Sequence, residues 1–108
     1  MSLYMTQFSY TAEAWAALAK NPADRSVPIQ ALAEKLGARL VGLYYCMGEY
    51  DGLVLSECPD DTTATALAIA AVSPGHVKAI RTTRLMTVQE MMEAMRKAGS
   101  VTYAAPSA

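Results

Sequence analysis

The chain has 108 residues, 53% of them hydrophobic and 18% charged, with a formal net charge of −1. That length fits a single domain able to bury roughly 65% of its unfolded surface, which leaves no room for a separate catalytic domain. The basic residues are scattered and the balance is slightly acidic, which excludes the footprint of a nucleic-acid binder.

The longest apolar stretch, Ala64–Val72, is far short of the roughly 20 residues of a bilayer span. The opening MSLYMTQFSY has no charged segment followed by an apolar one, so no signal peptide is read there. A soluble cytoplasmic protein with no membrane partner is the expectation. The charged share falls below the usual figure of approximately 25%, which suggests that some surface is hidden in an oligomer.

Leu3–Tyr10 is rich in aromatic and β-favouring residues and reads as the first strand. Thr11 caps a helix over Ala12–Lys20, with Trp15 and Leu18 on one face. Asn21-Pro22 interrupts it, because a residue before proline avoids the helical region. Helical spacing resumes after Ser26 at Ile29, Leu32, Ala33 and Leu36, and Gly37 ends it. Thr11–Leu36 is therefore one broken helical connection with an irregular patch at 21–27.

Ala38–Met47 and Gly52–Cys58 form an antiparallel hairpin. Cys46 then faces residue 53 or 54, which places it on the order of 13 Å from Cys58 along the strand. A disulfide is out of reach, and both cysteines are expected to be buried free thiols. Pro59 stops the strand and Asp60 caps a helix running to about Val72, apolar on every side and so covered on more than one.

Ser73-Pro74-Gly75 is a turn, and His76–Leu85 is the fourth strand. Thr87-Val88-Gln89-Glu90 is a capping box, with Met86 and Met91 placed for a hydrophobic staple. Val88, Met91, Met92 and Met95 then form the stripe of a last helix that ends at Gly99. Residues 1–98 read as one domain and 99–108 as a loose tail.

The order β-α-β-β-α-β plus a helix is the α+β, ferredoxin-like plan, with helices on one face of an antiparallel sheet. The other face should be polar if it meets water. In the second strand, Val41, Leu43, Tyr45 and Met47 make one side and Leu40, Gly42, Tyr44 and Cys46 the other. Both are apolar. A second copy laid against the open face resolves this, giving a homodimer or higher homo-oligomer.

Several blocks carry a family resemblance: the aromatic first strand running into Thr11, KNPADR, ALAEKLGARLVGLYYCMGEYDGLVLSECPDD and GHVKAIRTTRLMT. The chain resembles the GYD domain family, whose Gly-x-Tyr-Asp turn is matched by Gly48, Tyr50 and Asp51. The likeness runs from about Tyr4 to Met95. It implies a dimeric α/β barrel, in which two ferredoxin-like sheets close face to face around a cavity. Gly52 stands where the resemblance leads one to expect a bulkier apolar residue, which would delay the third strand.

The candidate catalytic residues are Tyr50, Asp51 and His76: a phenol donor, a carboxylate and the single imidazole. The Gly-x-Tyr-Asp turn has an equally direct structural explanation. Gly48 supplies a positive φ, Asp51 accepts backbone N–H groups, and Tyr50 packs at the sheet end. Tyr4, Phe8, Tyr44 and Arg81 are the candidate ligand-binding residues. Tyr10 and Tyr45 extend the aromatic wall, which serves a dimer core as well as a ligand. Arg81 and Arg84 face opposite ways, and either could pair with Glu57.

No P-loop, dinucleotide fingerprint or nucleophile elbow is present, so no cofactor is expected. One histidine and two separated cysteines make no metal set. Three functions stay open: a binding or sensing module for a small apolar or aromatic ligand held between sheets, a small cofactor-independent isomerase or monooxygenase, and a purely structural assembly module.

Overall fold

A computed structural model describes residues 1–106. The elements are β1 (Ser2–Tyr10), α1 (Ala12–Lys20), α2 (Ser26–Lys35), β2 (Arg39–Tyr45), β3 (Gly52–Cys58), α3 (Asp61–Val72), β4 (Val77–Leu85) and α4 (Val88–Gly99). The sheet has four strands in the order β2-β3-β1-β4, and every pairing is antiparallel. This is the ferredoxin-like α+β arrangement expected from the sequence.

The helix ends follow local chemistry. Thr11 accepts the N–H of Ala14 at 3.1 Å and Asp60 that of Thr63 at 2.8 Å, satisfying donors that the first helical turn leaves free. The hydrogen bonds from Thr63 hold the Asp60 carboxyl below its ordinary pKa. Thr87 and Glu90 complete the capping box of α4, with both bonds at 3.1 Å. Pro28 lies in the first turn of α2, where a missing N–H breaks no helical bond.

Helices α1, α2 and α3 cover one face of the sheet. Its core has two parts: Tyr4, Ala33, Ala38, Cys58, Ala64 and Leu67 in one, and Phe8, Tyr10, Ala14 and Val54 in the other. Tyr4, Phe8 and Tyr10 therefore belong to the core of a single chain. The Tyr4 hydroxyl donates to Asp61; that bond first, and burial second, raise the phenol's pKa.

Four expectations need correction. The β2–β3 register shifts between Leu40 and Gly42. One residue is bulged out, so Leu40, Leu43 and Tyr45 share the helix-covered face instead of alternating strictly. Cys46 lies past the end of β2, with its N–H bonded to the Asp51 carbonyl at 2.8 Å, and it is exposed, while Cys58 is buried. Glu57 pairs with Arg39 rather than with Arg81 or Arg84.

The fourth correction concerns Gly52, where β3 begins without delay. A Cβ there would sit 2.6 Å from Cζ of Phe8 and 2.7 Å from the Tyr44 carbonyl oxygen. The glycine makes room for the Phe8 ring.

The opposite face is bare. Leu3, Met5, Leu53 and Leu55 alternate away from the helices, and Tyr44 and Arg81 point the same way. Tyr44 is 59% exposed. Helix α4 buries no residue, and Met91, Met92 and Met95 are exposed. The radius of gyration is 17.8 Å and the long axis 59 Å, against about 13 Å expected for the radius of a compact chain of this length.

Candidate functional site

Phe8 and Tyr10 end β1 on the helix-covered side. Their rings lie 5.1 Å apart, and Trp15 from α1 meets Tyr10 edge-on at 5.0 Å. Tyr45 closes the cluster, its hydroxyl 3.1 Å from that of Tyr10. Burial pushes the Tyr10 phenol well up from its ordinary pKa. The hydrogen bond to Tyr45 adds to this, and the nearby charge of Arg25 partly offsets it.

A cavity of about 430 Å³ opens beside this cluster, between the sheet and the three covering helices. Phe8, Leu18, Ile29, Leu43, Val54 and Ile80 form much of its apolar wall. Its volume has a sequence cause. The helices present Ala17, Ala70 and Ala71 to it, short side chains that leave much of the space unfilled. Inside, the Thr6 hydroxyl lies 3.2 Å from that of Thr82, and the Tyr10 hydroxyl is engaged by Tyr45. Arg25 and His76 also line the cavity, and both are exposed, which puts them at its mouth.

Local structure fixes both mouth residues. Arg25 immediately precedes α2, at the break between α1 and α2. The carbonyl of His76 accepts the Thr11 N–H at 2.9 Å, beside the β1–β4 register shift at Ser9/Tyr10.

The Gly-x-Tyr-Asp turn lies outside the cavity lining. Gly48 has φ 150°, a conformation that favours glycine. Asp51 Oδ2 accepts the Tyr10 backbone N–H at 2.9 Å and the Trp15 indole N–H at 3.1 Å. The Asp51 N–H donates to the Phe8 carbonyl at 2.9 Å. The carboxylate therefore joins the β2–β3 hairpin to the β1–α1 junction, rather than closing its own turn. Tyr50 is half-buried, and its carbonyl accepts from the Cys46 thiol at 3.2 Å.

The candidates from the sequence thus fall into three groups. His76 and Phe8 line the cavity. Tyr50 and Asp51 form the hairpin clasp, and Tyr4 lies in the neighbouring core cluster. Tyr44 and Arg81 stand on the bare face. Sequence reasoning missed Arg25, the alanine lining and the Trp15–Asp51 bond. The available signal for Arg25 was a lone arginine in the break between two apolar helices. No group of three or more His, Cys, Asp or Glu that could hold a metal occurs among the described residues.

Among solved structures, the fold is similar to MtbAldR, at 11% identity and a TM-score of 0.54, over 80% of this chain and 52% of that one. The chain thus spans about half the length of MtbAldR. It is also similar to TTHA0845 from Thermus thermophilus, at 15% identity and a TM-score of 0.50, over 82% of this chain and 96% of that one. Identities this low speak to the fold alone. No curated protein matches the sequence. The GYD domain model matches residues 4–95, which takes in nearly all of the sheet, the three covering helices and the Gly48–Asp51 turn. The chain belongs to the GYD domain family.

Proposed function

We propose that this protein is a small-molecule binding module that holds its ligand between sheet and helices and uses its bare sheet face to assemble with a second copy. The cavity carries the reading: about 430 Å³, apolar-walled, with a few polar groups at the mouth. Sites for small ligands commonly measure roughly 300–1,000 Å³ with such a lining. The ligand position moves accordingly, from between two sheets to the helix side of one.

The open volume favours binding over a filled structural module. Proton-transfer catalysis by Tyr50, Asp51 and His76 has less support. Only His76 reaches the cavity, and Asp51 Oδ2 is already held by two donors. Assembly is supported by Leu3, Met5, Leu53 and Leu55 on a face no helix covers, and by the exposed methionines of α4.

The test is a volume block. Ala71→Phe places a ring in the cavity from α3. Ligand-observed NMR with a neutral aryl probe, 3-phenylpropanamide, should detect binding to the wild type and at least a tenfold weakening in Ala71→Phe. Equal binding by the two proteins would contradict a site in this cavity. Native mass spectrometry should find a dimer or larger assembly, and a monomer at micromolar concentration would contradict the assembly.

A further inference from the structure

The charge at the cavity mouth is one-sided. Among the described residues, Arg25 is the only charged side chain in the lining, and neither Asp nor Glu contributes to it. Arg25 has no ion-pair partner among the described residues, whose pairs are Arg39–Glu57, Arg84–Glu90 and Arg96–Glu93. The nearest acid in sequence, Asp24, is turned to other work: its Oδ1 accepts the Ser26 N–H at 3.0 Å and the Ser26 hydroxyl.

The backbone adds to the same field. Arg25 stands at the N-terminus of α2, where the helix dipole is positive; the first turn holds no acidic side chain, although Asp24 just before it caps the Ser26 N–H and offsets part of that field. Pro28 and Ile29, from this turn, line the cavity, so its positive end borders the apolar space. His76, the residue just before β4, supplies a second nitrogen donor. A guanidinium in no ion pair, at the mouth of an apolar chamber whose lining holds no carboxylate, is a receptor for one anionic group attached to an apolar body.

Resting on the binding function proposed above, we propose that the ligand is a small amphipathic monoanion, an aryl or short alkyl carboxylate. Its carboxylate sits on Arg25 at the mouth with His76 as a second donor. Its apolar body lies against Phe8, Ile29 and Val54. The wall sets the body's character: it is apolar apart from the Tyr10 and Thr6 hydroxyls, each already sharing a hydrogen bond, with Tyr45 and Thr82.

The experiment compares two molecules of one shape, 3-phenylpropanoate and 3-phenylpropanamide, by titration calorimetry at low salt. The wild type should bind the acid at least tenfold more tightly than the amide. Arg25→Gln should reduce that preference to less than threefold. His76→Gln should weaken the acid about twofold to threefold. Equal affinities for acid and amide, with amide binding still blocked by Ala71→Phe, would overturn the anion assignment and leave the cavity as a binding site. A preference for the acid that survives Arg25→Gln would also overturn it. Failure of both molecules to bind the wild type would overturn the cavity function itself, and this inference with it.

Discussion

The two faces of the sheet are built from the same four strands, yet they meet different surroundings. On the covered face, Phe8 is 7% exposed and Tyr4 3%. On the bare face Tyr44 is 59% exposed, beside Leu53 and Leu55. Polarity alone does not separate them: the bare face carries Leu3, Met5, Leu53 and Leu55 among Gln7, Arg39, Glu57, Arg81 and Thr83. What separates them is the three helices, which bring their own apolar surface to one side only. Alanine-rich helices cover that side loosely and leave a chamber, while the other side is left uncovered. One sheet can thus support a ligand site and an assembly surface without either using the other's residues.

Gly52 is the sharpest point of that separation, because it leaves room for the Phe8 ring on the covered face. Gly52→Ala would push a methyl group against both the Phe8 ring and the Tyr44 backbone carbonyl. The backbone cannot rotate away, so the expected loss is about 3 kcal/mol in denaturant unfolding. A loss under about 0.5 kcal/mol would mean that the strands separate readily there.

Asp51→Ala comes next. It removes the acceptor for the Tyr10 N–H and the Trp15 indole, with an expected cost of about 2 kcal/mol. The hairpin clasp is structural in this account, so Asp51→Asn, which keeps a carbonyl acceptor, should recover about half of that loss. Unchanged stability with abolished binding of 3-phenylpropanamide would instead make Asp51 a site residue.

On the bare face, Leu55→Glu should convert the proposed assembly to monomers in light scattering. It should cost the monomer less than about 1 kcal/mol, because Leu55 buries against no helix. Binding of the aryl probe should persist. Loss of probe binding together with assembly would join the two faces that this account keeps apart.

The smallest effect at neutral pH concerns Tyr10. Its pKa is raised in the folded chain, first by burial and then by Tyr45. The unfolded chain releases that proton near pH 10. The unfolded state then binds fewer protons, so this contribution is intact below about pH 10 and declines above it. Tyr10→Phe should flatten the alkaline slope of an unfolding titration, and an unchanged slope would show that Tyr10 is not the group responsible.

Much of the fold was legible in the sequence because its signals are local. The capping box at Thr87–Glu90, the break at Asn21-Pro22 and the Gly37 stop depend only on neighbours in the chain. The family resemblance also anticipated the matched region. The β2 bulge was not legible: a single shifted residue reverses which side Leu40 faces, and nothing in Leu40-Val41-Gly42 announces it. The cavity was not legible either. An alanine-rich helix reads as buried, yet whether its short side chains meet the sheet or stop short of it depends on where the helix axis settles. The role of Asp51 was half visible, since its type suggested backbone acceptance but its partners lie 41 and 36 residues away.

The division of labour between the faces is tested most directly by methyl-labelled NMR during titration with 3-phenylpropanoate. Cavity methyls of Ile29, Leu43, Val54 and Ile80 should shift and show contacts to the ligand's ring protons. Methyls of Leu3, Leu53 and Leu55 on the bare face should stay in place. Contacts to Leu53 and Leu55, with an unmoved Ile80, would put the ligand between sheets and contradict the account.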